Sequence, residues 1–166
     1  MPSPLHVLLF AVSILLQLTI APLFSIKDVM PDFILIMIVA IALQKGRTWG
    51  IIAGCFAGLL FDNFGTGFVG LSSLTNTITA FLAGFIGGER LERRFVSIVG
   101  FLFLLLLIHD TMYFTIISIG TSISFGDIFV HFALPTTIYT LTFMTMINLV
   151  WPRALWGSSQ LSRGSS

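Results

Sequence analysis

Six apolar runs, separated by short polar or glycine-bearing connections, dominate this sequence. The runs cover residues 5–24, 33–43, 49–61, 69–87, 95–119 and 128–150. A membrane-spanning helix needs about 20 apolar residues, and several runs reach or approach that length. We therefore predict an all-α membrane protein, a six-transmembrane-helix bundle that forms a single domain over residues 1–156. Residues 157–166 form a polar tail that we expect to be disordered.

The composition indicates that lipid, not water, surrounds most of this chain. Of its 166 residues, 56% are hydrophobic and only 9% are charged, whereas soluble domains carry about 25% charged residues. The net charge of +1 gives no reason to expect nucleic acid as a partner. The single cysteine, Cys55, excludes an internal disulfide and a cysteine-based metal cluster.

The basic residues predict how the chain is oriented, because cytoplasmic loops are enriched in Lys and Arg. If both termini are cytoplasmic, seven of the eight basic residues fall on the cytoplasmic side and only Lys27 falls outside. The seven are Lys45, Arg47, Arg90, Arg93, Arg94, Arg153 and Arg163. We therefore predict a multi-pass protein with both termini in the cytoplasm.

Three aspartates are predicted to lie at a similar depth. Asp32, Asp62 and Asp110 are each 14 to 16 residues from a basic turn, which is roughly 21–24 Å along a helix. A carboxylate that faces lipid costs about 2.5–3.5 kcal/mol, so such groups usually face protein or a wet cavity. We infer an outward polar pocket, or a locally thinned bilayer, at these three residues.

Each aspartate also has a structural interpretation, and for the first two we favour it. Asp32 would cap the second helix, with Pro31 before it, and Asp62 would bind backbone amides in the turn NFGTG. Asp110 lies inside the long run FLFLLLLIHDTMYF, next to His109. Adjacent helical residues point about 100° apart, so we do not expect His109 and Asp110 to pair. Asp110 then belongs to a proton relay or ion site or, as we favour, serves as an internal hydrogen-bond partner.

Small residues recur every four positions on the third and fourth helices. Gly50, Gly54 and Gly58 follow one another on the third helix, and Ala80 and Gly84 repeat the spacing on the fourth. Small residues at this spacing let helix backbones approach closely in lipid. They indicate packing within the chain or, as the alternative, a groove that docks a partner helix.

The remaining polar and helix-breaking residues have structural explanations. Asn76 requires a partner on another helix, and Pro135 is expected to kink the sixth helix. The three histidines, His6, His109 and His131, fall in unrelated segments, and no P-loop, H-E-x-x-H or paired-acid spacing occurs. We therefore expect no catalytic residue, no cofactor and no metal site.

A family resemblance is carried by the stretch PDFILIMIVAIALQKGRTWGIIAGCFAGLLFDNFGTGFVGLSSLTNTITAFLAG. In the order of its motifs it resembles the rod shape-determining protein MreD family. The matching motifs lie at Pro31 and Asp32, at Lys45 to Arg47, at Gly58 to Asp62, at Gly70 to Leu74 and at Leu82 to Gly84. Asp110 also fits the family pattern, and ALPTTIYT resembles the last helix, with Thr140 where an asparagine is common. The resemblance extends over about residues 5–155.

The resemblance implies a non-enzymatic membrane partner of the bitopic protein MreC. Such proteins belong to the machinery that elongates rod-shaped bacterial cells and helps regulate peptidoglycan synthesis. The assembly includes a SEDS glycosyltransferase, a class-B transpeptidase and actin-like MreB filaments, which would be indirect partners. The implied location is the bacterial plasma membrane, in contact with membrane lipid.

The main rival interpretation comes from the six-helix architecture that the MreD family shares with S-components of energy-coupling-factor transporters. It would make the chain a substrate-binding subunit of a small-molecule transporter. Such subunits commonly dock their partner through A-x-x-x-A on the first helix, which LHVLLFAVSILLQLTIAPLF lacks. Here Ala53 and Ala57 give that spacing only on the third helix, which favours the shape-determining interpretation.

Overall fold

A computed structural model describes residues 4–25, 29–64, 68–87 and 95–150 of the chain. All of the regular elements in these ranges are helices. The α-helices are α1 Pro4–Thr19, α2 Phe33–Lys45, α3 Arg47–Phe64, α4 Leu71–Gly87, α5 Phe95–Ile117, α6 Phe125–Ile128 and α7 Leu134–Val150. A short 3₁₀-helix, Ala21–Phe24, follows α1, and a π-helix, Phe129–Ala133, joins α6 to α7.

The expected six-helix architecture is confirmed, because α6, the π-helix and α7 follow one another without a break. Together they form one continuous helix, the sixth helix of the bundle. The sequence predicts a kink at Pro135, and the irregular π-helical turn lies just before this residue. Proline lacks the N–H that would bond to the carbonyl four residues earlier. In the residue before it, Leu134, the N–H bonds to the carbonyl of Phe129, five residues back, which is the π-helical pattern.

The short helix α2 lies at the centre of the bundle. Residues all around it are buried, among them Leu35, Ile38 and Val39, which are fully covered. A helix that is apolar on every side is stable only when other helices surround it. Helix α2 packs against α1, α3 and α4, and α5 packs against both α4 and α7.

A tight reversal at Gly46 connects α2 to α3. Gly46 has a φ of 88°, a conformation that residues with a β-carbon rarely adopt. The two helices therefore run in opposite directions, and the start of α2 lies at the same end of the bundle as the end of α3. The basic residues Lys45 and Arg47 lie at the opposite end, on either side of the reversal.

Large apolar side chains cover the outside of the described bundle. Leu23, Phe56, Phe64 and Val69 are each more than half exposed. Two helical segments, Ile98–Ile117 and Phe125–Ile147, are long and apolar enough to cross a membrane. Only 28% and 33% of their most apolar windows are buried within the protein. Most residues in these windows are therefore partly or fully exposed, as expected for lipid-facing helices and not for the core of a soluble domain.

Several predictions concern residues outside the described part of the chain. They include the positions of Lys27, Arg90, Arg93, Arg94, Arg153 and Arg163, and the nature of the tail at 157–166. The domain limits 1–156 and the orientation in the membrane stay predictions.

Candidate functional site

A cavity of about 280 Å³ lies at the end of the bundle where α2 and α4 begin and α3 ends. Residues from α1, α2, α3, α4, α5 and α7 line it, so it depends on the assembled bundle. Its polar lining includes Asp32, Ser72, Asn76, His109, Asp110 and Thr136. Two of the three predicted aspartates thus share one cavity, whereas Asp62 is not among its lining residues.

Asp32 is the N-cap of α2. Its carboxylate Oδ1 accepts a hydrogen bond of 2.8 Å from the backbone N–H of Leu35, which satisfies one of the free donors at the helix start. The backbone N–H of Asp32 donates to the hydroxyl of Thr140 on α7 at 3.1 Å. Pro31, just before the cap, is buried. The hydrogen bond to Thr140 connects the start of α2 to the sixth helix of the bundle. It is the polar contact that Thr140 makes on this helix.

Asp62 lies in the last turn of α3 and binds the backbone at the start of α4. It accepts hydrogen bonds from the amides of Gly70 at 2.7 Å, Ser72 at 3.1 Å and Ser73 at 3.4 Å. Free N–H groups at a helix N-terminus favour a negative charge. Asp62 is only 8% exposed, so this cap replaces its lost hydration and joins α3 to α4.

Asp110 and His109 form a hydrogen-bonded network in the interior. The Nδ1 atom of His109 lies 3.0 Å from Asp110 Oδ1, so the expectation that these neighbours would not pair is wrong. The hydroxyl of Thr137 donates to the other carboxylate oxygen at 2.6 Å, and His109 Nε2 lies 3.0 Å from the side-chain oxygen of Asn76. The network connects α4, α5 and α7, and its members are all at least 96% buried.

The reason for the pairing is side-chain rotation. The 100° between neighbouring residues describes the Cα–Cβ directions, and both side chains can rotate beyond the β-carbon. Partners on α4 and α7 hold the two groups in this orientation. Asn76, expected to need a partner across helices, has one in His109.

The spaced glycines lie where α3 contacts its neighbours. A β-carbon at Gly50 would come within 2.6 Å of the β-carbon of Ala42 on α2, and one at Gly54 within 2.8 Å of the carbonyl oxygen of Asn76 on α4. A β-carbon at Gly58 would overlap the backbone of Ser73, and one at Gly84 would overlap the backbone of Arg47. The close approach that these glycines permit is therefore made within the chain.

Among the residues that sequence reasoning did not assign to the cavity are Gln17, Tyr113 and Thr136. Gln17 accepts a hydrogen bond of 2.7 Å from the backbone N–H of Phe33. A glutamine inside an apolar run indicates a polar contact in the interior, because an amide in lipid needs a partner. Tyr113 follows His109 by one helical turn, and their rings stack with centroids 6.3 Å apart.

The described residues contain no group of three His, Cys, Asp or Glu side chains arranged to hold a metal ion. The cavity instead combines two carboxylates, one imidazole, neutral hydrogen-bonding groups and aromatic walls. This arrangement can hold a small polar molecule or stabilise the bundle.

A helical chain with an apolar exterior and inward-facing polar networks defines an integral membrane protein. The family model described as rod shape-determining protein MreD matches residues 3–155 of the chain. The chain belongs to this family, which confirms the resemblance carried by its motifs. The family places the chain among membrane proteins that determine rod shape. No curated protein and no solved structure matches it.

Proposed function

We propose that this protein is a non-enzymatic component of the cell-elongation machinery in the bacterial inner membrane, where it binds MreC and helps regulate peptidoglycan synthesis. The observation that carries the proposal is the MreD family match over residues 3–155. The apolar exterior of the bundle supports it, because a partner with a single transmembrane helix must be met within the lipid. The SEDS glycosyltransferase, the class-B transpeptidase and MreB would be reached indirectly, through the assembly.

The glycine face of α3 is a poor candidate for the MreC contact. Gly54 and Gly58 already lie against the backbone of α4, which leaves no room there for another helix. The exposed faces of the bundle, with side chains such as Phe56 and Phe85, stay open to lipid or to a partner. We therefore place MreC on an outer face and not in the glycine stripe.

Copurification tests the proposed partner. The tagged chain is purified in mild detergent from membranes that also contain MreC and, as the control, an unrelated bitopic protein. We expect MreC alone to copurify, and we expect the chain to restore rod shape in cells that lack their own MreD. Folded protein that retains no MreC and does not restore rod shape would contradict the proposal.

We also propose that all six helices of the bundle cross the membrane and that both termini are cytoplasmic. The reversal at Gly46, with Lys45 and Arg47 beside it, would then lie on the cytoplasmic side. A reporter fused after Arg153 tests the orientation. A reporter that works only in the cytoplasm should be active at this position. Activity of a reporter that works only in the periplasm would overturn the topology.

The cavity favours one alternative function, that of a substrate-binding subunit resembling the S-components of energy-coupling-factor transporters. Its volume of about 280 Å³ lies just below the roughly 300–1,000 Å³ of small-molecule sites. Mass spectrometry of the purified protein separates the two functions. A bound vitamin together with a transporter ATPase would favour the alternative, and MreC without either would favour the shape-determining role.

A further inference from the structure

Two largely buried side chains that line the cavity each carry a polar atom with no hydrogen-bond partner in the described part of the chain. Thr136 is 7% exposed, and its hydroxyl makes no hydrogen bond to any described residue. Asn76 is 4% exposed, and only its side-chain oxygen has a partner, while its nitrogen has none among the described residues. Buried polar groups are nearly always hydrogen-bonded to protein, water or a ligand. Both residues line the cavity, so water or a ligand in that space can form hydrogen bonds with these atoms.

The charge of the cavity selects the kind of molecule that enters. Asp32 and Asp110 contribute two carboxylates against a single imidazole, and the described lining contains no lysine or arginine. Both oxygens of Asp110 already have partners in His109 and Thr137. Asp32 accepts through Oδ1 from the start of its own helix, which leaves its carboxylate able to accept from a further donor. A cation would therefore bind at Asp32.

The walls of the cavity suit an organic cation. Phe61, Tyr113 and Phe114 line it, and aromatic faces attract ammonium groups. A hydrogen-bond acceptor on the same molecule would pair with the Asn76 nitrogen and the Thr136 hydroxyl. The volume of about 280 Å³ limits the bound part to a small molecule or to the head of a larger one.

We infer that the cavity binds a small primary amine that carries a neighbouring oxygen, with the ammonium on Asp32 and the oxygen at Asn76 and Thr136. This chemistry has two possible sources in a membrane, a free amino alcohol or the ethanolamine headgroup of a phospholipid. The inference does not depend on the proposed binding of MreC.

Matched soluble probes test the charge requirement. Ethanolamine and ethylene glycol differ only in that a hydroxyl replaces the ammonium. Each is titrated into full-length protein in phosphatidylcholine nanodiscs, and saturation-transfer NMR reports binding, since molecules this small bind weakly. Ethanolamine should bind about tenfold or more tightly than ethylene glycol. Equal binding of the two probes would overturn the inference.

Two substitutions test the residues without removing the structural cap. Asp32→Asn removes the charge but keeps a good N-cap, so the protein should fold and bind ethanolamine about tenfold or more weakly. Thr136→Val removes a hydroxyl that bonds to no described residue, so folding should be unaffected and binding weaker by a few-fold. Asp127→Asn is the matched control, because Asp127 is exposed on α6 and lies outside the cavity lining. Unchanged binding in Asp32→Asn would overturn the inference.

A lipid experiment distinguishes the two sources. Wild-type protein and Asp32→Asn are purified from nanodiscs that contain equal amounts of phosphatidylethanolamine and phosphatidylcholine, and the retained lipid is identified by mass spectrometry. Selective retention of phosphatidylethanolamine that is lost in Asp32→Asn assigns the site to the headgroup. Binding of ethanolamine without such retention assigns it to a free amine. Neither ethanolamine binding nor selective retention would overturn the inference.

Discussion

The Nε2 atom of His109 on α5 lies 3.0 Å from the side-chain oxygen of Asn76 on α4, and this contact joins two helices in the interior. On its other side the same ring meets Asp110, which is held by Thr137 on α7. The imidazole of His109, together with the carboxylate of Asp110, therefore links α4 to α7. Because the whole network is buried, loss of one member leaves another without a partner.

Substitution of Asn76 by leucine should destabilise the bundle by about 1–2 kcal/mol, because it leaves a buried ring nitrogen of His109 without its partner. The free energy of unfolding is measured by denaturation in mixed detergent micelles. Asn63→Leu is the control, since Asn63 is exposed and donates to the carbonyl of Leu59 on its own helix. Equal losses in both variants would contradict a special role for the network.

Gly58→Ala should destabilise the protein by about 1–3 kcal/mol, because a β-carbon would overlap the backbone of Ser73. Gly100→Ala on α5 is a matched control, since a β-carbon there would meet nothing within 4 Å. The measurement is the free energy of unfolding of both variants, together with MreC copurification. Normal folding of Gly58→Ala with loss of MreC would instead assign the glycine face to a partner.

Asp62→Asn should destabilise the junction of α3 and α4 by about 1–2 kcal/mol, and Asp62→Leu by more. The reason is that both carboxylate oxygens accept hydrogen bonds, from Gly70, Ser72 and Ser73, while asparagine has one acceptor atom. Thermal denaturation in detergent gives the order of the three proteins. If Asp62→Asn is fully stable but does not restore rod shape, the charge has a role beyond structure.

Thr115→Val should leave stability unchanged or raise it by up to about 1 kcal/mol. The hydroxyl of Thr115 is buried and has no hydrogen-bond partner among the described residues, so its removal relieves a desolvation cost. Thr79→Val is the comparison, because the Thr79 hydroxyl donates to the carbonyl of Thr75 at 2.8 Å. The measurement is the free energy of unfolding of both variants. A clear loss of stability in Thr115→Val would contradict the prediction and indicate a hydrogen-bond partner of the hydroxyl.

Local patterns in the sequence were good guides to the caps and the helix contacts. Pro31 and Asp32 before an apolar run indicate a helix start, and Asp32 is the N-cap of α2. The four-residue spacing of Gly50, Gly54 and Gly58 indicates close packing, and each of these glycines lies against a neighbouring helix. Such features depend on residues near in sequence, so they are visible before the chain folds.

The pairing of His109 with Asp110 could not be predicted in the same way. Helical spacing predicts the directions of the Cα–Cβ bonds. It does not predict which residues on other helices determine the side-chain rotamers. Asn76 lies 33 residues before His109, and Thr137 lies 27 residues after Asp110. Only when α4, α5 and α7 pack together do these partners set the rotation of the two side chains.

The sequence by itself determined the solvent, the helical class and the positions of the helices, because apolar composition and run length are local and lipid leaves few alternatives to a helix. The tertiary structure decided which polar groups meet. It placed Asp32 and Asp110 on one cavity and turned Asp62 toward the backbone of α4. The physical reason is that a cavity depends on the relative rotation and depth of several helices, and these result from packing between residues far apart in the chain.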